Sequence, residues 1–330
     1  MKILIASSID SDAIEQLKQH HQVILAFNNP NEPLETLIPD CEVLVFRSGV
    51  KISAQLMERS PNLKLLIRAG SGLDNLDLDY VQRNGLVLIR IPQPGAKAVA
   101  EMTFALMLAL SRRLFEADQS MRQARWKKYE LSGYLLQGKT LGIIGIGEIG
   151  GRVAEMGMAW GMKAISHDGF LSPERARLLS EKGVELLDFD QVVSQSDYLS
   201  LHVPLNESTR YMINASVLEN MKPGSYLINL ARGGIVDEQA LYKALTSGGR
   251  LRGAALDVHE KEGEGKLSPL ASLNNVILTP HIGAMAVDAQ REIGQRVVEI
   301  VKSYTASPNQ VKVPRNGGVV IESDSQTVRI

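Results

Sequence analysis

The chain is predicted to be an α/β protein with two domains, each built on a parallel sheet. Short apolar, β-branched runs alternate with amphipathic helical stretches through most of its 330 residues. The alternation falls into two blocks, separated by a long helical stretch starting near residue 98. Only the second block opens on a glycine-rich turn. The length suits two domains of ordinary size.

Hydrophobic residues make up 44% of the chain and charged ones 22%, as in a water-soluble globular protein. Lys and Arg total 36 against 37 Asp and Glu, so nothing in the charge draws the chain to nucleic acid or anionic lipid. The single cysteine, Cys41, precludes an internal disulfide and suits a reducing compartment; its strand-entrance flanks make a packed thiol the expectation. The N-terminal Met1-Lys-Ile-Leu-Ile-Ala reads as a strand, too short for a signal peptide, and no apolar run reaches membrane-spanning length. A cytoplasmic location is the expectation.

In the first block, Lys2–Ala6, Gln22–Leu25, Glu42–Phe46, Leu63–Ile67 and Leu86–Ile89 read as strands. Helical patterns lie between several of them, such as Asp12–His20 and Ser53–Arg59, each opened by a residue able to cap it. This block has no phosphate-binding glycine fingerprint. A single helix is then expected from Ala98 to about Gln123, with Met102, Ala105, Leu106, Ala109, Leu110 and Leu114 on its apolar face. Its length suggests a connector that also packs against a second subunit.

The second block carries six predicted strands: Leu141–Ile144, Ala164–Ser166, Tyr198–Leu201, Tyr226–Leu230, Gly253–Asp257 and Val276–Thr279. The first runs into Gly145-x-Gly147-x-x-Gly150, and the pattern turns helical from Gly151 to Ala159. A buried strand, a tight glycine turn and a helix start together make a pyrophosphate site: the turn lets backbone approach the ligand, and the helix offers unpaired N–H groups and its positive end. Asp168 follows the next strand, eighteen positions after Gly150, where a dinucleotide fold places the acid for the adenosine ribose. A carboxylate there disfavours a 2′-phosphate, so NAD is expected rather than NADP. These features predict a Rossmann-type doubly wound domain at 99–285 and a smaller flavodoxin-like α/β domain at 1–98. An amphipathic helix over Ala286–Thr305 is expected to return to the first domain and make it discontinuous, adding 286–330. The tail from Ser307 is largely polar and too short for a regulatory domain.

Three fragments at strand ends carry the candidate chemistry. In Asn229-Leu-Ala-Arg-Gly-Gly-Ile-Val-Asp237, Arg232 precedes two glycines and can grip a carboxylate in a bidentate fork; its bland alternative is a surface pair with Asp237. In Ala254-Ala-Leu-Asp-Val-His-Glu-Lys-Glu262, Asp257 ends a strand and Glu260 and Glu262 follow. In Leu278-Thr-Pro-His-Ile-Gly-Ala284, His281 follows the next. A histidine beside a strand-end carboxylate has its tautomer set and serves as a proton donor and acceptor near neutrality. His202 also follows a strand and is read as lining the cofactor pocket. The six histidines show no zinc-ligand spacing, so no metal is expected.

Residues 1–305 resemble the D-isomer-specific 2-hydroxyacid dehydrogenases, most of all their phosphoglycerate dehydrogenase branch. The likeness runs through Phe46-Arg-Ser-Gly-Val-Lys-Ile52, Arg68-Ala-Gly-Ser-Gly-Leu-Asp-Asn-Leu-Asp77 and Gly138-Lys-Thr-Leu-Gly-Ile-Ile-Gly-Ile-Gly-Glu-Ile-Gly150. It continues through His202-Val-Pro204, Ala231-Arg-Gly-Gly-Ile-Val-Asp-Glu238, Ala255-Leu-Asp-Val258 and Thr279-Pro-His-Ile-Gly-Ala284.

The resemblance implies an oxidoreductase that moves a hydride between nicotinamide and C2 of a 2-hydroxy or 2-keto acid, in a cleft between the domains. It implies Arg232, Glu262 and His281 as the catalytic set, with Glu262 rather than Glu260 partnering His281. It implies cofactor contacts from Gly145, Gly147, Glu148, Ile149, Asp168, His202, Val203, Pro204, Leu230, Ala231, Arg232, Asp257, His281, Gly283 and Ala284, with Asp257 on the carboxamide. Substrate contacts would come from Arg47 on a phosphate, from Ser71 and Gly72 amides on the carboxylate, and from Arg232 and His281. It also implies a homodimer. D-3-phosphoglycerate is the substrate it points to, with hydroxypyruvate/glyoxylate reduction or an NAD(H)-sensing corepressor role as alternatives.

Three departures from the family pattern stand out. Glu148 replaces an arginine, so weaker NAD binding or a cationic partner is expected. Gly95-Ala96 replaces Asn-Ser, and Gly263 replaces a proline.

Overall fold

The computed structural model describes residues 1–29, 31–248, 250–306 and 320–322. The chain divides into two compact units: Met1–Ala98 with the chain from Ala284 on, and Val99–Gly283.

The first unit holds a six-stranded sheet. Its strands are β1 (Lys2–Ile5), β2 (Gln22–Leu25), β3 (Val43–Phe46), β4 (Leu65–Arg68), β5 (Val87–Arg90) and, in the tail, Val320–Glu322. The order is Val320–Glu322, β5, β4, β3, β1, β2, and every pairing is parallel. This is the 2-1-3-4-5 order of flavodoxin-like sheets with one strand added at the β5 edge. The central strands are largely apolar because helices cover both faces. Helices Ser11–Lys18 and Val287–Ala306 pack on one face, where Gly294 lets them close: a Cβ there would meet Asp10 Cβ at 2.7 Å. Cys41 is buried in the other core cluster, and burial pushes its thiol pKa up. The rest of the tail expectation, 307–319 and 323–330, lies outside the described residues.

The second unit holds seven parallel strands. Besides β6 (Thr140–Ile144), β7 (Lys163–His167), β8 (Glu185–Leu186) and β9 (Tyr198–Leu201), these are β10 (Tyr226–Asn229), β11 (Gly253–Leu256) and β12 (Val276–Leu278). They stand in the order β12-β11-β10-β9-β6-β7-β8. The order reverses direction between β6 and β9, which makes this a doubly wound, Rossmann-type sheet whose crevice opens at the carboxyl ends of those strands. Two-residue β8 is too short to show in the sequence pattern.

The long connector departs from its expectation. It starts earlier, as helix Gln93–Ser111, and breaks before a second helix, Leu114–Arg122. Arg113 at the break is left-handed (φ +50°); its guanidinium reaches Glu116 at 2.5 Å and donates to the Glu130 carbonyl at 2.6 Å. Those contacts outweigh the helical propensity of the run.

Candidate active site

The glycine turn after β6 is built by close approach of backbones. Gly145 adopts φ +87°, and a Cβ there would lie 2.7 Å from the His202 carbonyl oxygen; at Gly150 an added Cβ would collide with the Gly145 carbonyl. Gly147 differs: the space where its Cβ would sit is open. It is also the N-cap of helix Glu148–Ala159 and offers no side chain to the first-turn amides. Asp168, just past β7, accepts Ile146 N–H at 2.9 Å and Phe170 N–H at 3.0 Å, so the carboxylate stands against the glycine turn. Open room at Gly147, an uncapped helix start and an acid beside it fit a dinucleotide's pyrophosphate and ribose. Glu148 is exposed and makes no ion pair with another of the described residues.

His202 sits against this turn. Its Nε2 contacts Ser200 Oγ at 2.8 Å, while Nδ1 is sealed from solvent with no hydrogen-bond partner. Although part of the residue reaches solvent, desolvation of the ring lowers its pKa to about 3, so it stays neutral.

Arg232, Asp257 and His281 follow β10, β11 and β12, three neighbours in the sheet, so all three emerge on one edge. His281 is left-handed (φ +55°), uncommon for a residue with a Cβ. Its N–H donates to the Asp257 carbonyl at 2.8 Å. The Asp257 carboxylate, almost fully buried, wraps the same turn: it accepts Thr279 Oγ1 at 2.6 Å, Ile282 N–H at 2.9 Å and Gly283 N–H at 2.7 Å. Its oxygens thus hold the His281 turn in place.

His281 Nδ1 lies 2.9 Å from Glu262 Oε2, and the other Glu262 oxygen accepts His259 N–H at 3.1 Å. Partial burial by itself would raise the Glu262 carboxyl; the His281 bond and charge and the His259 N–H outweigh it and hold the carboxyl below its ordinary value. Glu260 is turned elsewhere, onto the N–H of Glu238 at 2.9 Å. Gly263, with φ +115°, reverses the chain directly after Glu262, a conformation closed to the proline usual there.

Arg232 is joined to this loop through its neighbour. A Cβ on Gly233 would run into the His259 carbonyl, so only glycine lets the β10 turn nest on residues 259–260. Asp237 caps helix Glu238–Thr246 through Ala240 N–H, and Arg232 Nη1 donates to the Ala231 carbonyl at 2.7 Å. Leu230 and Ala231 are buried beneath it, Val203 is partly buried and Pro204 exposed. No group of three or more His, Cys, Asp or Glu among the described residues could hold a metal ion.

In the first unit, Arg47 follows β3 and is partly buried, with Nη2 on Met285 Sδ at 3.2 Å and Nη1 on the Ser8 carbonyl at 3.4 Å; desolvation lowers its pKa, though a guanidinium remains charged. The turn bearing Ser71 and Gly72 is held by two arginines: Arg68 Nε donates to the Gly72 carbonyl at 2.7 Å and Arg90 Nη1 to the Ser71 carbonyl at 3.2 Å. Gly95 and Ala284 approach to Cβ distance, 3.8 Å, and the Ala284 carbonyl accepts Gln290 Nε2. The sequence reading missed Arg68, Arg90, Glu238, Thr279 and His259. An arginine ending an apolar strand run was the one available signal, at Arg68 and Arg90.

Residues 104–283 match the family model described as the NAD binding domain of D-isomer specific 2-hydroxyacid dehydrogenases. The chain belongs to that family. It is 38% identical over 318 residues to a D-3-phosphoglycerate dehydrogenase of Archaeoglobus fulgidus, an alignment covering 95% of this chain and 60% of the relative. It is 40% identical over 301 residues to a hydroxypyruvate reductase of Thermotoga maritima, covering 90% of this chain and 96% of the relative. The chain thus spans well under two thirds of the phosphoglycerate dehydrogenase and nearly all of the reductase. Among solved structures, D-lactate dehydrogenase of Aquifex aeolicus, complexed with NAD and lactic acid, superposes with a TM-score of 0.81 at 32% identity, covering 92% of this chain and 96% of that one. The second unit is an NAD-binding domain of this family. No helix among the described residues is long and apolar enough to cross a membrane.

Proposed function

We propose that the protein is an NAD-dependent dehydrogenase interconverting a D-2-hydroxy acid and its 2-keto acid, with D-3-phosphoglycerate and 3-phosphohydroxypyruvate, the serine-biosynthetic pair, as substrates. The observation that carries the reading is the 2.9 Å contact between Glu262 and His281 Nδ1 at the strand-end edge shared with Arg232. Bound NAD supplies the hydride acceptor, and NADH the donor. His281 does the proton work: with Nδ1–H directed at Glu262, Nε2 is the nitrogen that takes the hydroxyl proton in oxidation and returns it in reduction. Glu262 stabilises the imidazolium formed when the proton arrives. The Arg232 guanidinium holds the substrate carboxylate and steadies the carbonyl oxygen. Asp168 favours NAD by repelling a 2′-phosphate.

Arg47 is assigned to the substrate's phosphate, and the Ser71–Gly72 amides to its carboxylate. A second reading, hydroxypyruvate/glyoxylate reduction, is favoured by the near full-length likeness to the Thermotoga reductase. The two separate on Arg47→Ala: about 100-fold loss of kcat/KM on the phosphorylated pair, from removing a charge-assisted contact of about 3 kcal/mol, supports the first. Unchanged kinetics with good hydroxypyruvate turnover supports the second. Steady-state NADH assays on both pairs and on D-lactate test the whole reading; no turnover of any, with His281→Ala behaving like the parent, refutes it.

We assign the protein to a cytoplasmic homodimer. The partner surface is assigned to the second half of the stretch expected from sequence and the residues just beyond it, where Leu114, Phe115, Met121, Trp126 and Tyr129 are exposed, rather than to helix Gln93–Ser111, which buries Phe104, Leu106, Met107 and Leu110. Light scattering on the purified chain tests this.

A further inference from the structure

The loop that presents Glu262 is anchored at its start, where His259 Nε2 lies 2.9 Å from the Thr279 carbonyl, but has little packing beyond it. Residues 260–267 are all exposed, Leu267 among them at 81%, and Gly263 and Gly265 both take left-handed conformations. Such a segment has no apolar anchor and would sample many positions. Yet the 2.9 Å contact with His281 requires Glu262 to stay within a few tenths of an ångström.

Both ends of this loop are tied to one side chain. Glu238, the first residue of helix Glu238–Thr246, is only 3% exposed. Its Oε1 accepts Glu260 N–H at 2.7 Å, two residues before Glu262, and its Oε2 accepts Ser268 Oγ at 2.5 Å, six residues after. The first tie is reciprocal, since Glu260 Oε1 accepts Glu238 N–H at 2.9 Å. Ser268 Oγ also caps the following 3-10 turn by accepting Leu270 N–H at 3.3 Å, so the second tie ends on a structured element. The carboxylate's own position suits a charge: it lies in the first turn of a helix, at the positive end of the dipole. Helix Glu238–Thr246 in turn follows directly from the turn that bears Arg232.

We infer that Glu238 is a positioning residue for the acid–base pair, clamping the loop 259–268 so that Glu262 meets His281. It touches neither substrate nor cofactor. This inference rests on the proposed role of Glu262 and His281 and adds the device that keeps them aligned.

The test is a double-mutant cycle between Glu238→Ala and Glu262→Gln, read by kcat, by the pH dependence of kcat and by NADH affinity from fluorescence titration. Glu238→Ala is expected to lower kcat by about 10–100-fold, the scale of an ångström-sized misplacement, with NADH affinity changed less than twofold. Its pH profile should shift toward that of Glu262→Gln, and the double variant should be no slower than Glu262→Gln alone, because both remove one interaction. Glu238→Gln should restore most of the activity, since the amide can accept Glu260 N–H and donate to Ser268 Oγ. If Glu238→Ala does not fold, Ser268→Ala, which cuts one tie only, is expected to give a smaller loss with the same pH signature. Losses that multiply in the double variant, or a lowered Tm with kcat and pH profile intact, overturn the inference alone. A silent Glu262→Gln variant overturns the acid–base reading and this inference with it.

Discussion

Replacing Glu262 with glutamine keeps the side-chain shape and removes its charge. In the parent, Oε2 stands 2.9 Å from His281 Nδ1 and Oε1 takes His259 N–H. A hydrogen bond to a charged group is worth about 1.5–3 kcal/mol, and the side chains here are 41% and 34% exposed, so screening places this one near the lower bound. About 1.5 kcal/mol is roughly a tenfold loss of kcat. The pH profile of the reaction should change with it, because the imidazolium formed in catalysis loses its counter-charge. The pH dependence of the parent follows from Glu262 as well. Its folded-state carboxyl is held below the ordinary 4.5, so the stability it contributes is present above that value and is lost as pH falls through the lower, folded-state value. Steady-state kinetics between pH 5 and 9, together with acid unfolding, read both effects. A Glu262→Gln enzyme with parental kcat and an unmoved profile refutes the reasoning.

Asp257→Ala removes the acceptor for Thr279 Oγ1, Ile282 N–H and Gly283 N–H; at about 1 kcal/mol or more for each donor left buried, Tm should drop and kcat fall with the His281 turn released. Gly233→Ala drives a Cβ into the His259 carbonyl and should cost about 1–3 kcal/mol in denaturant unfolding while lowering kcat, since the Arg232 and Glu262 segments must part. The His202 ring should show no NMR titration between pH 5 and 8, its pKa lying at about 3. Because the unfolded chain binds that proton near 6.5, His202 makes stability fall as pH drops from there toward about 3, and His202→Gln should flatten that slope.

Local pattern accounts for most of the architecture. Alternating apolar strands and capped helices produce two parallel sheets because such runs can be buried only under helices on both faces. The glycine spacing before helix Glu148–Ala159 is legible because each glycine answers a steric demand of strand, turn and helix in immediate succession. Arg232, Asp257 and His281 were legible as strand-end residues, since the carboxyl edge is where a doubly wound sheet opens.

What the sequence could not declare depends on contacts between distant segments. The break at Arg113 turns on Glu116 and Glu130, and the edge strand Val320–Glu322 on the free side of β5. The resemblance already implied Glu262 over Glu260, but the physical basis lies in Glu238, twenty-two residues before Glu260, which bonds Glu260 while Glu262 meets His281. Composition and periodicity determined the kind of fold and the edge where chemistry would gather. What holds the Glu262 carboxylate to the imidazole was decided only when buried hydrogen bonds between remote strand-end loops had to be satisfied together.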